Sequence, residues 1–178
     1  MTYLYHAVTE RPMFVGQEIL FDETHRNGVY ARVAAYQDYV AGRENPLSEL
    51  ICSDPDGWKQ VALRELAMER VRAERFPQYP SRMACLYTVQ TFEEARNWAL
   101  YFEKRGRKVY GVVKLRVEGR IFEGNACNCF DGSDNEDENL RLAERYWQNA
   151  ESEDRPISEI IADGVLTVEE IFDVQPHE

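Results

Sequence analysis

Only 3 histidines and 4 cysteines occur among 178 residues, so few groups are available for imidazole or thiol chemistry. His177 sits in the C-terminal tail, and no Ser-His-Asp arrangement can be assembled with conviction from the rest. The amino terminus, Met1-Thr2-Tyr3-Leu4-Tyr5-His6, lacks the basic-then-apolar build of a signal peptide. No apolar run approaches the roughly 20 residues a membrane helix needs. The chain is therefore expected to be soluble and cytoplasmic, with no membrane partner and with Cys52, Cys85, Cys127 and Cys129 as reduced thiols. Cys127-Asn128-Cys129 has no second Cys or His pair nearby, so no metal site is expected. Neither G-x-G-x-x-G nor G-x-x-x-x-G-K is present, which removes the Rossmann and P-loop nucleotide sites. No repeat or low-complexity tract interrupts the chain.

What is present is an ordinary globular composition, 44% apolar and 30% charged, at a single-domain length. A single domain over 1–178 is expected. The net charge of −11 is unevenly placed. From Asp131 to Glu178 there are 15 acids against 3 arginines, whereas the first 130 residues hold 17 acids and 18 bases. The acidic C-terminal quarter argues against stable duplex DNA binding.

Periodicity and turn chemistry give the elements. Residues 3–8 alternate as a strand, with Leu4, His6 and Val8 on one face. Val29, Val33, Tyr36 and Val40 recur at helical spacing over 29–41, and a second helix spans 58–75. Asn45-Pro46 and Asp54-Pro55-Asp56-Gly57 bracket a loop between them. A strand is expected over 83–89, then a helix over 92–104 opened by the capping box Thr91-Phe92-Glu93-Glu94. Strands 109–117 and 120–124 around Glu118-Gly119 read as a hairpin. A helix over 136–148 follows. Asp154-Arg155-Pro156 interrupts, 157–162 reads as a helical turn closed by Gly164, and a strand over 165–174 finishes the chain. The sum is α+β, with mixed, mainly antiparallel sheets and flanking helices.

Four groups stand out chemically. His6 shares a strand face with Leu4 and Val8, as either a satisfied core residue or a pocket donor. Glu170 falls on the otherwise apolar row Leu166, Val168, Phe172, Val174, where a carboxylate needs a partner or a cavity. Glu123, beside the turn, is its weaker rival. Tyr87 is either core or a stacking platform for an aromatic ligand, and Ser81-Arg82 just before its strand offers a phosphate-binding guanidinium or a solvated one. The loop His25-Arg26-Asn27-Gly28, with Arg32 one turn into the helix, is either an anion site or a plain turn and N-cap.

Leu4-Tyr5-His6-Ala7-Val8-Thr9-Glu10-Arg11-Pro12, Asn27-Gly28-Val29-Tyr30, Ala62-Leu63-Arg64-Glu65-Leu66-Ala67, Tyr79-Pro80-Ser81-Arg82-Met83, Asn128-Cys129-Phe130 and Asn139-Leu140-Arg141-Leu142-Ala143-Glu144 together carry a resemblance. The chain resembles a family of short bacterial and phage proteins described as a domain of unknown function. That family looks like a divergent branch of the ADP-ribosyltransferase superfamily. The resemblance implies a pair of small sheets around an NAD cleft, with NAD as substrate. It implies that His6 holds the ribose, Tyr87 stacks on nicotinamide and Glu170 stabilises the oxocarbenium-like state. His25, Arg32 or Arg82 would contact the pyrophosphate, with Asn27 and Ser81 beside them. The acceptor would be a protein side chain, a nucleic-acid base or water, in a toxin, host-modifying or defence role. The alternative is a non-catalytic module of the same fold that recognises an ADP-ribose-like ligand or a protein partner.

Overall fold

The computed structural model describes residues 2–151 and 156–174. Two antiparallel sheets face each other. The first runs in the order β1-β4-β7-β2, formed by Thr2–Val8, Gly111–Glu118, Gly164–Phe172 and Glu18–Phe21. The second has the order β3-β6-β5, formed by Leu86–Thr88, Ser158–Ala162 and Ile121–Asn125. The helices are α1 (Gly28–Val40), α2 (Ser48–Ser53), α3 (Pro55–Arg75), α4 (Phe92–Lys104) and α5 (Glu136–Trp147). None of the described helices is long and apolar enough to cross a membrane.

The helix starts are set by local chemistry. Asn27 caps α1 by accepting from the backbone N–H groups of Val29 and Tyr30. Asp54 caps α3, and Pro55 occupies its first turn, where a missing N–H costs nothing. The capping box of Thr91 and Glu94 opens α4 as expected.

Three apolar layers then fix the architecture. Leu4, Val8, Val113, Leu115, Leu166 and Val168 of the first sheet meet Ile160 and Ala162 of the second. The far face of the second sheet presents Phe122 and Ile161 to Met68 and Val71 of α3 and to Tyr146 and Trp147 of α5. The far face of the first sheet presents Ala7 and Val112 to Ala95 and Ala99 of α4. The order is thus α4, first sheet, second sheet, then α3 with α5, and α1 packs on α3.

Five expectations need correction. Glu118-Gly119 does not close a hairpin: β4 lies in the first sheet and β5 in the second. The chain crosses between sheets there, and it crosses again at Asp163-Gly164. The two crossings touch, since the Asp163 carboxylate accepts from the backbone and guanidinium of Arg120, and Asp163 N–H donates to the Arg120 carbonyl. Residues 157–162 are not a helical turn but supply β6, the central strand of the second sheet. The strand expected over 83–89 is confined to Leu86–Thr88, and the expected loop before Gly57 contains α2 and the start of α3. The Asp154-Arg155 break and His177 lie outside the described residues.

The fifth correction concerns Glu170. A register shift between Lys114 and Leu115 pairs Leu115 with Val168 but Lys114 with Glu170, leaving Glu169 as an extra residue in β7. One inserted residue reverses which side chains face the core. Glu170 therefore leaves the row of Leu166 and Val168. It is exposed and bonds Lys114 Nζ at 2.7 Å, on the face opposite His6.

Candidate functional site: a clamped carboxylate at the meeting of two sheets

The sheets touch where β1 passes the end of β3. Tyr5 and Val89 form a reciprocal backbone pair, each N–H donating to the other's carbonyl at 2.9 Å. Next to it His6 Nδ1 lies 2.7 Å from the Tyr87 carbonyl. A carbonyl only accepts, so Nδ1 carries the proton and Nε2 keeps a lone pair. Burial lowers the His6 pKa to about 4; the bond to Tyr87 opposes this and the Arg107 charge adds to it. The ring is neutral at pH 7. Among the described residues nothing hydrogen-bonds to Nε2, which stays open as an acceptor.

The other face of β3 carries the charged centre. Arg82, 5% exposed, donates Nε to Glu65 at 3.0 Å and Nη1 to both the Tyr146 hydroxyl at 2.6 Å and Glu159 Oε1 at 2.7 Å. Tyr146 also donates to Glu159 Oε1 at 2.7 Å. Arg64 donates to Glu65 Oε1 at 2.9 Å and to the Phe130 carbonyl. Burial would raise the Glu65 pKa, but Arg82 and Arg64 outweigh it and hold the carboxyl below its usual range. Burial also raises the Tyr146 and Tyr87 phenols well above their ordinary values, and it raises the thiols of Cys85 and Cys129. Neither thiol is a ready nucleophile.

Glu159 is the unusual member. It stands near the start of β6, one residue before the Thr88–Ile160 pair, and is paired with Gly124 of β5. It takes two bonds on Oε1, whereas Oε2 takes none from the described residues. Its side chain is 16% exposed. A carboxylate with one oxygen locked by a guanidinium and a phenol presents the other in a fixed direction, at no ordering cost when a ligand arrives.

A family model for proteins of unknown function, DUF2441, matches residues 4–174. The chain belongs to that family. No curated protein matches it.

This DUF2441 member places the remaining expected site residues as follows. Tyr87 is with the cluster: its ring lies 5.2 Å from the Arg82 guanidinium, and its hydroxyl donates to the Arg82 carbonyl at 3.0 Å. Arg82 is not a free phosphate ligand, because carboxylates, a phenol and ring faces occupy it. Ser81 donates to Glu69 at 2.6 Å and supports the turn before β3. Asn27 is fully used: its amide N–H groups donate to the carbonyls of Arg82 and Cys85, and its oxygen caps α1. It therefore ties that helix to the turn carrying Arg82. His25 is exposed and paired with Asp22 in its own loop, which holds the Asp22 carboxyl far below its usual range. Arg32 lies over Trp58, with its guanidinium 4.8 Å from the ring centre. Glu123 is exposed in β5. The structure thus joins His6 to Tyr87 through the backbone, and Tyr87 to Arg82 by side-chain contact. It separates Glu170 and His25 from both. Glu65, Tyr146 and Glu159 were missed in sequence. Glu159 would have been the one carboxylate on the Ile161 face had 157–162 been read as a strand.

Proposed function

We propose that this chain is an ADP-ribosyltransferase-like domain that binds NAD at the β1–β3 junction and uses Glu159 to promote loss of nicotinamide. The observation that carries the reading is Glu159 itself: Oε1 is clamped by Arg82 and Tyr146, and Oε2 is open. Such an oxygen accepts a ribose hydroxyl and faces the positive charge that develops at the anomeric carbon. Two further features support it. The resemblance implies a pair of small sheets with an NAD cleft between them, and the reading is supported by two facing sheets whose strands β1 and β3 abut. His6, neutral with Nε2 open, adds an acceptor at that junction on the inter-sheet side, the side opposite Glu159. The ADP-ribose acceptor is water or a macromolecular side chain or base.

One observation favours a second reading, a module that binds an ADP-ribose-like ligand without cleaving it. Arg82 already lies against the Tyr87 ring that nicotinamide would stack on. Calorimetric titration of the purified chain with NAD and with ADP-ribose tests the pair. NAD-cleaving activity requires binding of NAD that His6→Ala weakens. Tight ADP-ribose binding without NAD turnover selects the second reading, and binding of neither ligand rejects both.

A further inference from the structure

Arg32 is a cation without an internal partner. It lies in the second turn of α1, half-buried, and its Nε is fully buried without a hydrogen bond. None of its nitrogens bonds to a described residue, and no described carboxylate lies within ion-pair reach. Asp54 is the acid whose charge it feels, and Asp54 Oδ1 is spent on the Gly57 N–H that starts α3. The other charge it feels is repulsive and comes from Arg64 of α3. Arg64 uses Nε on Glu65 and Nη1 on the Phe130 carbonyl, which leaves Nη2 unclaimed among the described residues.

A buried donor without a partner is costly, and the charge of Arg64 adds repulsion. The fold nevertheless holds Arg32 over the Trp58 ring, 4.8 Å from its centre. A guanidinium oriented by an aromatic ring, with free donors and a second arginine alongside, matches the fork geometry that binds phosphate oxygens. Arg82 is the contrast, since its donors are consumed by Glu65, Glu159 and Tyr146.

We infer that Arg32 and Arg64 form a binding site for a phosphate-class anion, with Trp58 as the platform that orients Arg32. The anion is either free phosphate or pyrophosphate, or a phosphate borne by a nucleotide. The inference stands apart from NAD cleavage, because it concerns donors that the Glu159 chemistry does not use.

The test is thermal unfolding of the full chain in phosphate-free buffer, with inorganic pyrophosphate titrated against potassium chloride of equal ionic strength. Pyrophosphate is expected to raise Tm, by an amount that grows with the logarithm of its concentration. Arg32→Met keeps the aliphatic stem over Trp58 but removes the charge. It is expected to abolish the pyrophosphate response and, without anion, to melt at or above the wild-type temperature. Arg64→Met is expected to weaken the response. A larger shift with ADP-ribose than with pyrophosphate would assign a nucleotide-borne phosphate, and an equal shift would assign the free anion. The inference is overturned if wild type shows no response at millimolar pyrophosphate, or if Arg32→Met keeps it. It is equally overturned if Arg32→Met melts well below wild type in the absence of anion, since Arg32 would then be structural. Nicotinamide release from NAD, measured separately, tests the Glu159 reading.

Discussion

The His6 imidazole and the Tyr87 carbonyl, 2.7 Å apart, join the first strand of one sheet to the first strand of the other. The neutral Nδ1–H ring and the imidazolium can both donate this bond, which favours the charged form; burial favours the neutral ring more strongly, so the junction has a pH dependence with a definite sign.

In the folded state His6 titrates near 4, against 6.5 when unfolded. Between these values the unfolded chain binds more protons, so stability rises with pH through that window and falls as pH drops from 6.5 toward 4. The full span corresponds to about 3 kcal/mol. Urea unfolding of wild type and His6→Asn at several pH values checks this. The variant is expected to lose that part of the slope.

Arg82 neutralises Glu65 and Glu159 from a buried position. Arg82→Leu leaves Glu159 with only the Tyr146 hydroxyl and Glu65 with only Arg64, and is expected to destabilise the fold by roughly 3–5 kcal/mol. Tyr146→Phe removes one hydroxyl from the same cluster and is expected to cost about 1–3 kcal/mol. Equilibrium denaturation measures both.

Glu170, by contrast, makes one ion pair with Lys114, and its side chain is 51% exposed. Glu170→Gln is expected to change stability by less than about 1 kcal/mol. It should leave NAD handling intact, which chemical denaturation and ligand titration together would establish.

Gly164 has φ +81°, and a β-carbon there would strike the Glu118 carbonyl at the crossing between sheets. Gly164→Ala therefore meets both backbone strain and a clash with main-chain atoms that cannot rotate away. A loss of more than about 1 kcal/mol is expected in thermal or urea unfolding.

Four of the five helices were legible in the sequence because their signals are local, as with Asn27 and with Thr91 and Glu94, which act within one turn; Asp54-Pro55, read as the end of a loop, caps α3, and α2 was not read. The strands that pair across the chain were less so. Ile157 to Ala162 is a short apolar run that periodicity alone does not assign to helix or strand. Glu118-Gly119 carries a turn signal, but nothing local says that the strands it links enter different sheets. Glu170 was misplaced by one extra residue, Glu169, whose bulge is visible only from the pairing with β4. His6 and Tyr87 were identified and do meet, though through a main-chain carbonyl. The Arg82 cluster was out of reach for a different reason. Its partners Glu65, Tyr146 and Glu159 lie 17, 64 and 77 residues away in the chain, so no spacing rule gathers them.

The central claim is that Glu159 is the working carboxylate. The most direct measurement is nicotinamide release from NAD by the purified chain, compared with Glu159→Gln and Glu170→Gln. The account predicts release by wild type, a fall of roughly 10²–10³-fold in Glu159→Gln, and a rate close to wild type in Glu170→Gln. Release that survives Glu159→Gln, or its absence in wild type under conditions where NAD binds, would contradict it.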